Sequence, residues 1–481
     1  MRKDIELKEY FYFNREKNIK MFGSYDLLHF IYPIPWLTIF FYTFIVFLLV
    51  FLITLLYLKS KYGFWVSQPV FHSYDFSYYL YPPGIIRMDL PEKNKYTNFK
   101  DITTTVYNEL SSLQKLEMIH FLRKGENSFL PESTNVFPYF EGLTHESLFI
   151  EQGKKTKNTK NKENPCFFSF YWEKSLLTDL KKGTIIENKK IIGSITSRPI
   201  KIRILHLCTF KSPSRRDGQF TSDKGNSYHA LECEGVKRND QNASFLAYYM
   251  DYLCVDESHR KKGIASQMIQ THEYNQRHLN KNIQVSLFKR EGELTNGIVP
   301  LCSYTTYGFS VLTWRKPVSL PPNYQIIEFS KQNLHLLRDF LKENEDHFDI
   351  LLEPSFSNLL ELIQTKNIYV CAVLENDVVL CVYFYCDSCV FIEKDMRILT
   401  CYATVKSDAC SKEIFIQGFK NSFWNTADKN NFGFCVVENI SHNHWIIANL
   451  LKKSTPVLKK PTAYFFYNFA YPTFSAEKVF L

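Results

Sequence analysis

The sequence predicts a mixed α/β (α+β) protein of two tandem halves with like element order, preceded by one transmembrane helix. Three observations lead to that class. Residues 36–58 form an uncharged apolar run. Around residues 252–278 a strand end passes through a basic, glycine-containing turn into a helix. The order of apolar runs before the Pro-rich break Lys316–Asn323 recurs after it, as in a duplicated fold. A chain of 481 residues has room for two or three domains. Its 45% hydrophobic and 22% charged content is globular, so disorder is not the main theme.

Residues 1–35 read as a mixed-charge polar tail. The run that follows, Trp36 to Leu58, reaches across a hydrocarbon core of about 30 Å at about 1.5 Å per residue. Lys59 and Lys61 close its far end, and Tyr32, Trp36, Tyr57, Tyr62 and Trp65 supply aromatic interface anchors. The run is too long for the apolar part of a signal peptide and no small-residue cleavage site follows it. Basic residues flank both ends, so charge alone leaves the orientation open.

After the anchor, Phe64 to Leu90 is aromatic and Pro-rich. Apolar residues at helical spacing predict a helix over Thr103–Leu122. The Lys/Asn run Lys154–Asn164 and the Ser/Gly-rich Ser212–Asn226 read as surface loops, with strands at Cys166–Trp172 and Lys190–Ile195 between them. In the second half, helices are expected at Leu334–Leu341, Phe356–Ile363, Ser411–Trp424 and His444–Lys452. Strands are expected at Ile368–Leu374, Val378–Tyr385, Arg397–Val405, Phe432–Val437 and Ala463–Phe469, with a hairpin turn at Glu375-Asn376-Asp377.

The most informative segment is Tyr252-Leu-Cys-Val-Asp-Glu-Ser-His-Arg260-Lys261-Lys262-Gly263-Ile264-Ala265. Unpaired N–H groups at a helix start, with the helix dipole, favour negative charge. Gly263 lets a ligand approach the backbone, and Arg260, Lys261 and Lys262 add positive charge. This is a device for holding phosphate; taken alone it fits equally a solvated basic turn before an ordinary helix. The net charge of +9 permits anionic ligands or membrane surfaces. No helix-turn-helix, zinc-finger spacing or long basic tail points to nucleic acid. Several of the 12 cysteines sit in apolar runs, as buried reduced thiols do. The lone Cys386–Cys389 pair lacks the second ligand pair that zinc requires, so no metal is expected.

Four blocks in order resemble the eukaryotic N-myristoyltransferases (glycylpeptide N-tetradecanoyltransferases), over roughly residues 61–481. They are Tyr62-Gly63-Phe64-Trp65-Val-Ser-Gln68-Pro69-Val70, Ile192-Gly193-Ser-Ile-Thr-Ser-Arg-Pro199, the segment just described, and Tyr464-Phe-Phe-Tyr467-Asn468-Phe469 with Ala476-Glu-Lys-Val479. The resemblance implies two GNAT-like (acyl-CoA N-acyltransferase) halves. Residues 59–320 would bind acyl-CoA, and residues 321–481 would face the acceptor peptide. It implies myristoyl-CoA as co-substrate, with no permanently bound cofactor, and proteins with an N-terminal glycine as partners. Gly63, Phe64 and Trp65 would contact the CoA, and Leu253 and Val255 would line the acyl path. Lys261, Gly263, Ile264 and Ala265 would hold the pyrophosphate. The backbone amides of Tyr252 and Leu253 would form the oxyanion hole, and the terminal carboxylate of Leu481 would be the base. An acyl-CoA enzyme draws on the cytosolic pool, so the expectation is a single-pass membrane protein, monomeric, with its catalytic part in the cytosol.

Departures from the family pattern cluster on the acceptor side. The family runs several residues past the counterpart of Val479, whereas this chain stops at Leu481. Leu458-Lys459-Lys460-Pro461, Leu287-Phe288-Lys289 and Tyr307-Gly308-Phe309 replace family segments, and an insertion lies between Pro199 and Tyr252. Two alternatives to glycine myristoylation stay open on these residues: an acyl-CoA-binding relative without catalysis, and an acyltransferase for another amine.

Overall fold

The computed structural model of the chain describes residues 36–61, 63–123, 136–141, 164–178, 185–205, 237–239, 242–294, 297–312, 314–392 and 396–481. The polar tail 1–35, Tyr62, the Ser212–Asn226 loop and nearly all of the Lys/Asn run lie outside the described residues. The chain divides after Ser67 into two units.

In the first unit, α1 (Trp36–Lys61) is a single helix. Its stretch Thr38–Tyr57 is long and apolar enough to cross a membrane, and none of it is buried against protein. Gly63 lies in a turn leading to a short 3₁₀ segment, Trp65–Ser67. The Ser67 amide donates to the Phe64 carbonyl at 3.1 Å, and the Phe64 and Trp65 rings meet edge to face at 5.1 Å.

The second unit carries three elements that the sequence pattern predicts poorly: α2 (Phe76–Leu80), β1 (Gly84–Ile85) and β2 (Ile102–Val106). The helix expected from Thr103 begins only at α3 (Ser112–Arg123). The β-branched run Ile102-Thr-Thr-Thr-Val106 instead forms an edge strand on β3 (Phe167–Thr178), because branched Cβ atoms suit a pleat better than a helical turn. β3 continues antiparallel into β4 (Ile185–Ile204), a strand far longer than its apolar centre suggested. β5 (Lys237–Asn239) and β6 (Asn242–Val255) follow, then α4 (Ile264–Leu279), β7 (Val285–Glu291) and β8 (Cys302–Ser310).

The second half repeats this order. After β9 (Tyr324–Glu328), α5 (Leu334–Glu343), β10 (Ile350–Glu353) and α6 (Phe356–Gln364) come β11 (Ile368–Glu375) and β12 (Val378–Ile392). Asn376 and Asp377 both have positive φ, 49° and 66°, so the expected hairpin turn forms with two residues that tolerate the left-handed region. β13 (Met396–Lys406), α7 (Lys412–Asn430), β14 (Phe432–Glu438), α8 (Asn443–Leu450), β15 (Leu458–Tyr467), β16 (Phe469–Ala470) and β17 (Val479–Phe480) complete the chain.

One sheet carries both halves, in the order β17-β10-β4-β6-β7-β15-β8-β14-β13-β12-β11-β9. In each half an antiparallel pair leads to a parallel pair with a helix between its strands: β4, β6 and β7 around α4, then β12, β13 and β14 around α7. The halves exchange their next strands. β15 of the second half lies on β7, β8 of the first lies on β14, and β15 and β8 pair with each other at the centre. This is the mixed fold of two interlocked repeats. All nine described cysteines outside the Cys389 region are free thiols.

Candidate active site

The site is built around an irregularity in β6. Pairing with β4 runs Gly193↔Val255 and Ser194↔Cys254, then resumes at Thr196↔Asp251. Two residues, Tyr252 and Leu253, therefore oppose the single residue Ile195. This is a β-bulge, the device by which a strand turns amides out of the ladder. Tyr252 sits at φ 49°, an unusual conformation for an aromatic residue, held by its neighbours. The Ser194 hydroxyl donates to the Tyr252 carbonyl at 3.0 Å and the Thr196 hydroxyl to the Asp251 carbonyl at 3.1 Å. Neither hydroxyl was given a role from sequence, although both lie inside the Ile192–Pro199 block.

The two amides expected to form an oxyanion hole differ. The Tyr252 N–H donates to the carboxylate of its own neighbour, Asp251 Oδ1, at 2.9 Å. Leu253 is 43% exposed and shares the one opposing residue, Ile195, with Tyr252. Val255 regains the ladder opposite Gly193. At Gly193 an added Cβ would lie 2.5 Å from Met268 Sδ, so a larger residue there requires the Met268 side chain of α4 to move.

The basic turn follows at once. The Asp256 amide donates to the Ile192 carbonyl at 2.8 Å, and the Asp256 carboxylate accepts from the Ser258 amide at 3.1 Å. Hydrogen bonds from Ser258 hold that carboxylate below its usual range, against the opposing effect of burial. Lys261 at φ 64° and Gly263 at φ 77° turn the chain into α4. Gly263 is the N-cap with no side-chain cap, and the first turn of α4 carries no acid. A Cβ at Gly263 would meet nothing within 4 Å, so the approach to Ile264 and Ala265 is open. Lys261 and Lys262 are exposed and form no ion pair among the described residues; Arg260 reaches only Glu257, at 3.9 Å. The structure thus brings Leu253, Val255, Arg260, Lys261, Lys262, Gly263, Ile264 and Ala265 into one strand–turn–helix. An anion placed there would meet the amides of a helix start and exposed cations.

Beneath this turn α4 buries a polar face. His272 is bonded by both ring nitrogens, to Ser169 Oγ at 2.8 Å and Ser197 Oγ at 2.9 Å, and burial pushes its pKa down to about 3. Burial pushes Glu273 up to about 7, opposed by Arg277 and a hydrogen bond from Ser286.

The other side of the site is a knot of charges. Lys289 Nζ on β7 pairs with Glu438 Oε1 on β14 at 2.7 Å and with Glu291 Oε1 at 3.0 Å. Burial works against the Lys289 charge, but Glu438, Tyr464 and Glu291 outweigh it and hold its pKa well above the ordinary value. Tyr304 Oη donates to Glu438 Oε2. The Arg198 guanidinium on β4 lies between the Tyr139 and Tyr249 rings, 5.3 and 5.2 Å from their centroids. Sequence reasoning noted Lys289 only as a departure and missed Arg198, Asp251 and Glu438. The signal available was a lone carboxylate, Asp251, breaking the aromatic run Tyr248-Tyr-Met-Asp-Tyr252.

Leu481 is placed elsewhere. β17 runs parallel to β10, with Val479 opposite Ile350 and Phe480 opposite Leu351. Continued by one residue, this register brings Leu481 level with Leu352, whose partner on β4 is Ile202. Leu481 packs in the cluster of Ile200, Ile202 and Ile204. Ile202 and the bulge at Ile195 are separated by on the order of 20 Å of extended strand. The structure brings Asp251 to the bulge and sets Leu481 well along the neighbouring strands.

No family model matches the chain, and no curated protein matches it by sequence. The fold is nevertheless matched among solved structures. Paired repeats, each with a helix between parallel strands, place the chain in the class of GNAT-like folds. Within that class the fold is that of the N-myristoyltransferases. The Saccharomyces cerevisiae N-myristoyltransferase with bound myristoyl-CoA superposes with a TM-score of 0.54 at 12% identity, over 86% of this chain and 94% of that one. The same yeast enzyme, solved with myristoyl-CoA and inhibitors, gives 0.55 at 11% identity, over 86% and 91%.

Proposed function

We propose that the protein is an acyl-CoA-dependent N-acyltransferase that transfers a myristoyl group to the N-terminal glycine amine of proteins. The observation that carries this reading is the bulge–turn–helix of Tyr252–Ala265, set in a fold shared with a myristoyl-CoA-bound enzyme. On this reading Lys261, Gly263, Ile264 and Ala265 receive the pyrophosphate, with Arg260 and Lys262 adding charge around it. Leu253 and Val255 border the acyl path. The Tyr252 and Leu253 amides are the candidate oxyanion donors, a role that preorganised backbone N–H groups fill well. Residues 59–320 form the acyl-CoA half and residues 321–481 the acceptor half. Helix α1 anchors a monomer in a membrane with the second unit on the cytosolic side, where acyl-CoA is made available.

Labelled myristoyl-CoA supplied to the full-length protein with a peptide beginning in glycine is expected to label the peptide at its N-terminal amine. Acyl-CoA binding without transfer to the peptide would sink this reading. It would favour a second one, an acyl-CoA-binding relative without catalysis. That second reading draws support from the occupied Tyr252 amide.

A further inference from the structure

The carboxylate that reaches the bulge belongs to Asp251, one residue before Tyr252. We propose that Asp251 is the proton acceptor for the attacking amine, leaving the Leu253 amide as the oxyanion donor. This rests on the acyl-transfer reading given above.

Position is the first argument. Asp251 Oδ1 lies 2.9 Å from the Tyr252 amide nitrogen, and the next residue along the chain is Leu253, which is 43% exposed and lies in the bulge, outside the regular register with β4. On this proposal the thioester oxygen sits on the Leu253 N–H, one peptide along from the amide that this carboxylate accepts from, which places the base beside the reacting carbon as general-base catalysis requires. Availability is the second argument. Asp251 forms no ion pair among the described residues. Lys289, the nearer chemistry on β7, is committed to Glu438 and Glu291. The remaining candidates are spoken for: both nitrogens of His272 are bonded, Glu438 is held by Lys289 and Tyr304, and Glu273 is on the buried face of α4, bonded by Ser286. A third argument comes from Arg198, whose Nε is buried without a hydrogen-bond partner and which acts electrostatically on Asp251. It is a donor waiting for an acceptor, such as the first carbonyl of an incoming chain.

The groups facing Asp251 are Arg198 on β4, Tyr249 and Cys254 on β6 and Lys289 on β7. Burial pushes the Asp251 carboxyl above its ordinary value, against Arg198, the Tyr252 amide and Lys289. A carboxylate raised in this way is a better base toward an ammonium than a free one. In the step, Asp251 takes one proton from the glycine ammonium. The amine nitrogen then bonds to the thioester carbon, and the C–S bond breaks. The second amine proton ends on the CoA sulfur, and the proton on Asp251 returns to solvent.

Asp251→Asn keeps an oxygen for the Tyr252 amide and removes the base. Single-turnover transfer from bound myristoyl-CoA to a glycyl peptide is expected to fall on the order of 100-fold. Acyl-CoA binding should be retained, and the acid limb of the pH–rate profile should disappear. If the asparagine variant does not fold, Asp251→Gly with added formate supplies the same test, with rate recovered as formate fills the gap. An active wild type with an Asp251→Asn variant of equal rate overturns the base alone. So does a slow variant with an unchanged pH profile and no formate rescue, which is the signature of a positioning role. A wild type that binds myristoyl-CoA but transfers it to no amine overturns the base together with the acyl-transfer reading.

Discussion

Helices α4 and α7 occupy the same place in the two repeats, each between the strands of a parallel pair, yet their beginnings are opposite in character. Helix α7 is closed: Ser411 Oγ accepts from the Ile414 amide at 3.2 Å, and Glu413 sits in its first turn. Helix α4 is open: glycine at the N-cap, no acid in the first turn, and Arg260, Lys261 and Lys262 just upstream. A capped start with its own carboxylate has nothing to offer an anion, whereas an uncapped basic one does. Their buried faces differ as well. Helix α7 packs Phe415, Phe419 and Phe423 into the core, while α4 buries Gln270, Thr271, His272, Glu273 and Gln276. The two repeats share a frame, and a cap and a turn separate the helix start that can receive an anion from the one that cannot.

The contrast between the faces gives the largest expected effect. The folded-state pKa of Glu273, about 7, lies above its ordinary value of 4.5, so folding favours its protonated form. That contribution is fully present below about pH 4.5 and is lost as pH rises through 7. Glu273→Gln should remove this slope, leaving the variant more stable than wild type at pH 8 by up to about 3 kcal/mol. Denaturant unfolding at pH 5 and pH 8 reads it directly, and parallel curves would break the contrast. Next comes the open cap. Gly263→Val forces a branched residue into the left-handed region, at about 1–2 kcal/mol. It should also lower acyl-CoA affinity in a titration, because the ligand's approach is filled. Ser411→Ala is the reciprocal change and the smallest. It should cost about 1 kcal/mol in thermal unfolding and leave acyl-CoA affinity untouched.

Most of the frame was legible in sequence because local patterns carry it. The β-branched and aromatic runs of β11, β13 and β14 read as strands, Asn376-Asp377 as a turn, and Gly263 as the start of α4. What escaped was non-local. β8 and β15 are held by strands from the opposite half, and no window of one segment reports such pairing. The segment Tyr252–Ala265 reads as a strand end and turn in sequence, but the bulge within it is anchored by Ser194 and Thr196 on another strand. The charged cluster beside the bulge was least legible because side chains from β4, β6, β7 and β14 make it. Arg198, Asp251, Lys289 and Glu438 mean nothing together until the sheet is folded. A site made of backbone survives wide divergence in sequence, and one made of side chains is rewritten.

The exchange of β8 and β15 also sets a timetable. β7 ends at Glu291, but its partner β15 begins at Leu458, so the ribosome must add about 170 residues before the pair can form. At roughly 5–20 residues per second, the β7 edge stands open for on the order of 10–30 s during synthesis. Its apolar part, Val285-Ser-Leu-Phe288, is a ready template for misplaced strands, and Lys289, Arg290 and Glu291 close it with three charges in a row. The same lysine that ties the seam in the finished sheet thus also guards the unfinished one.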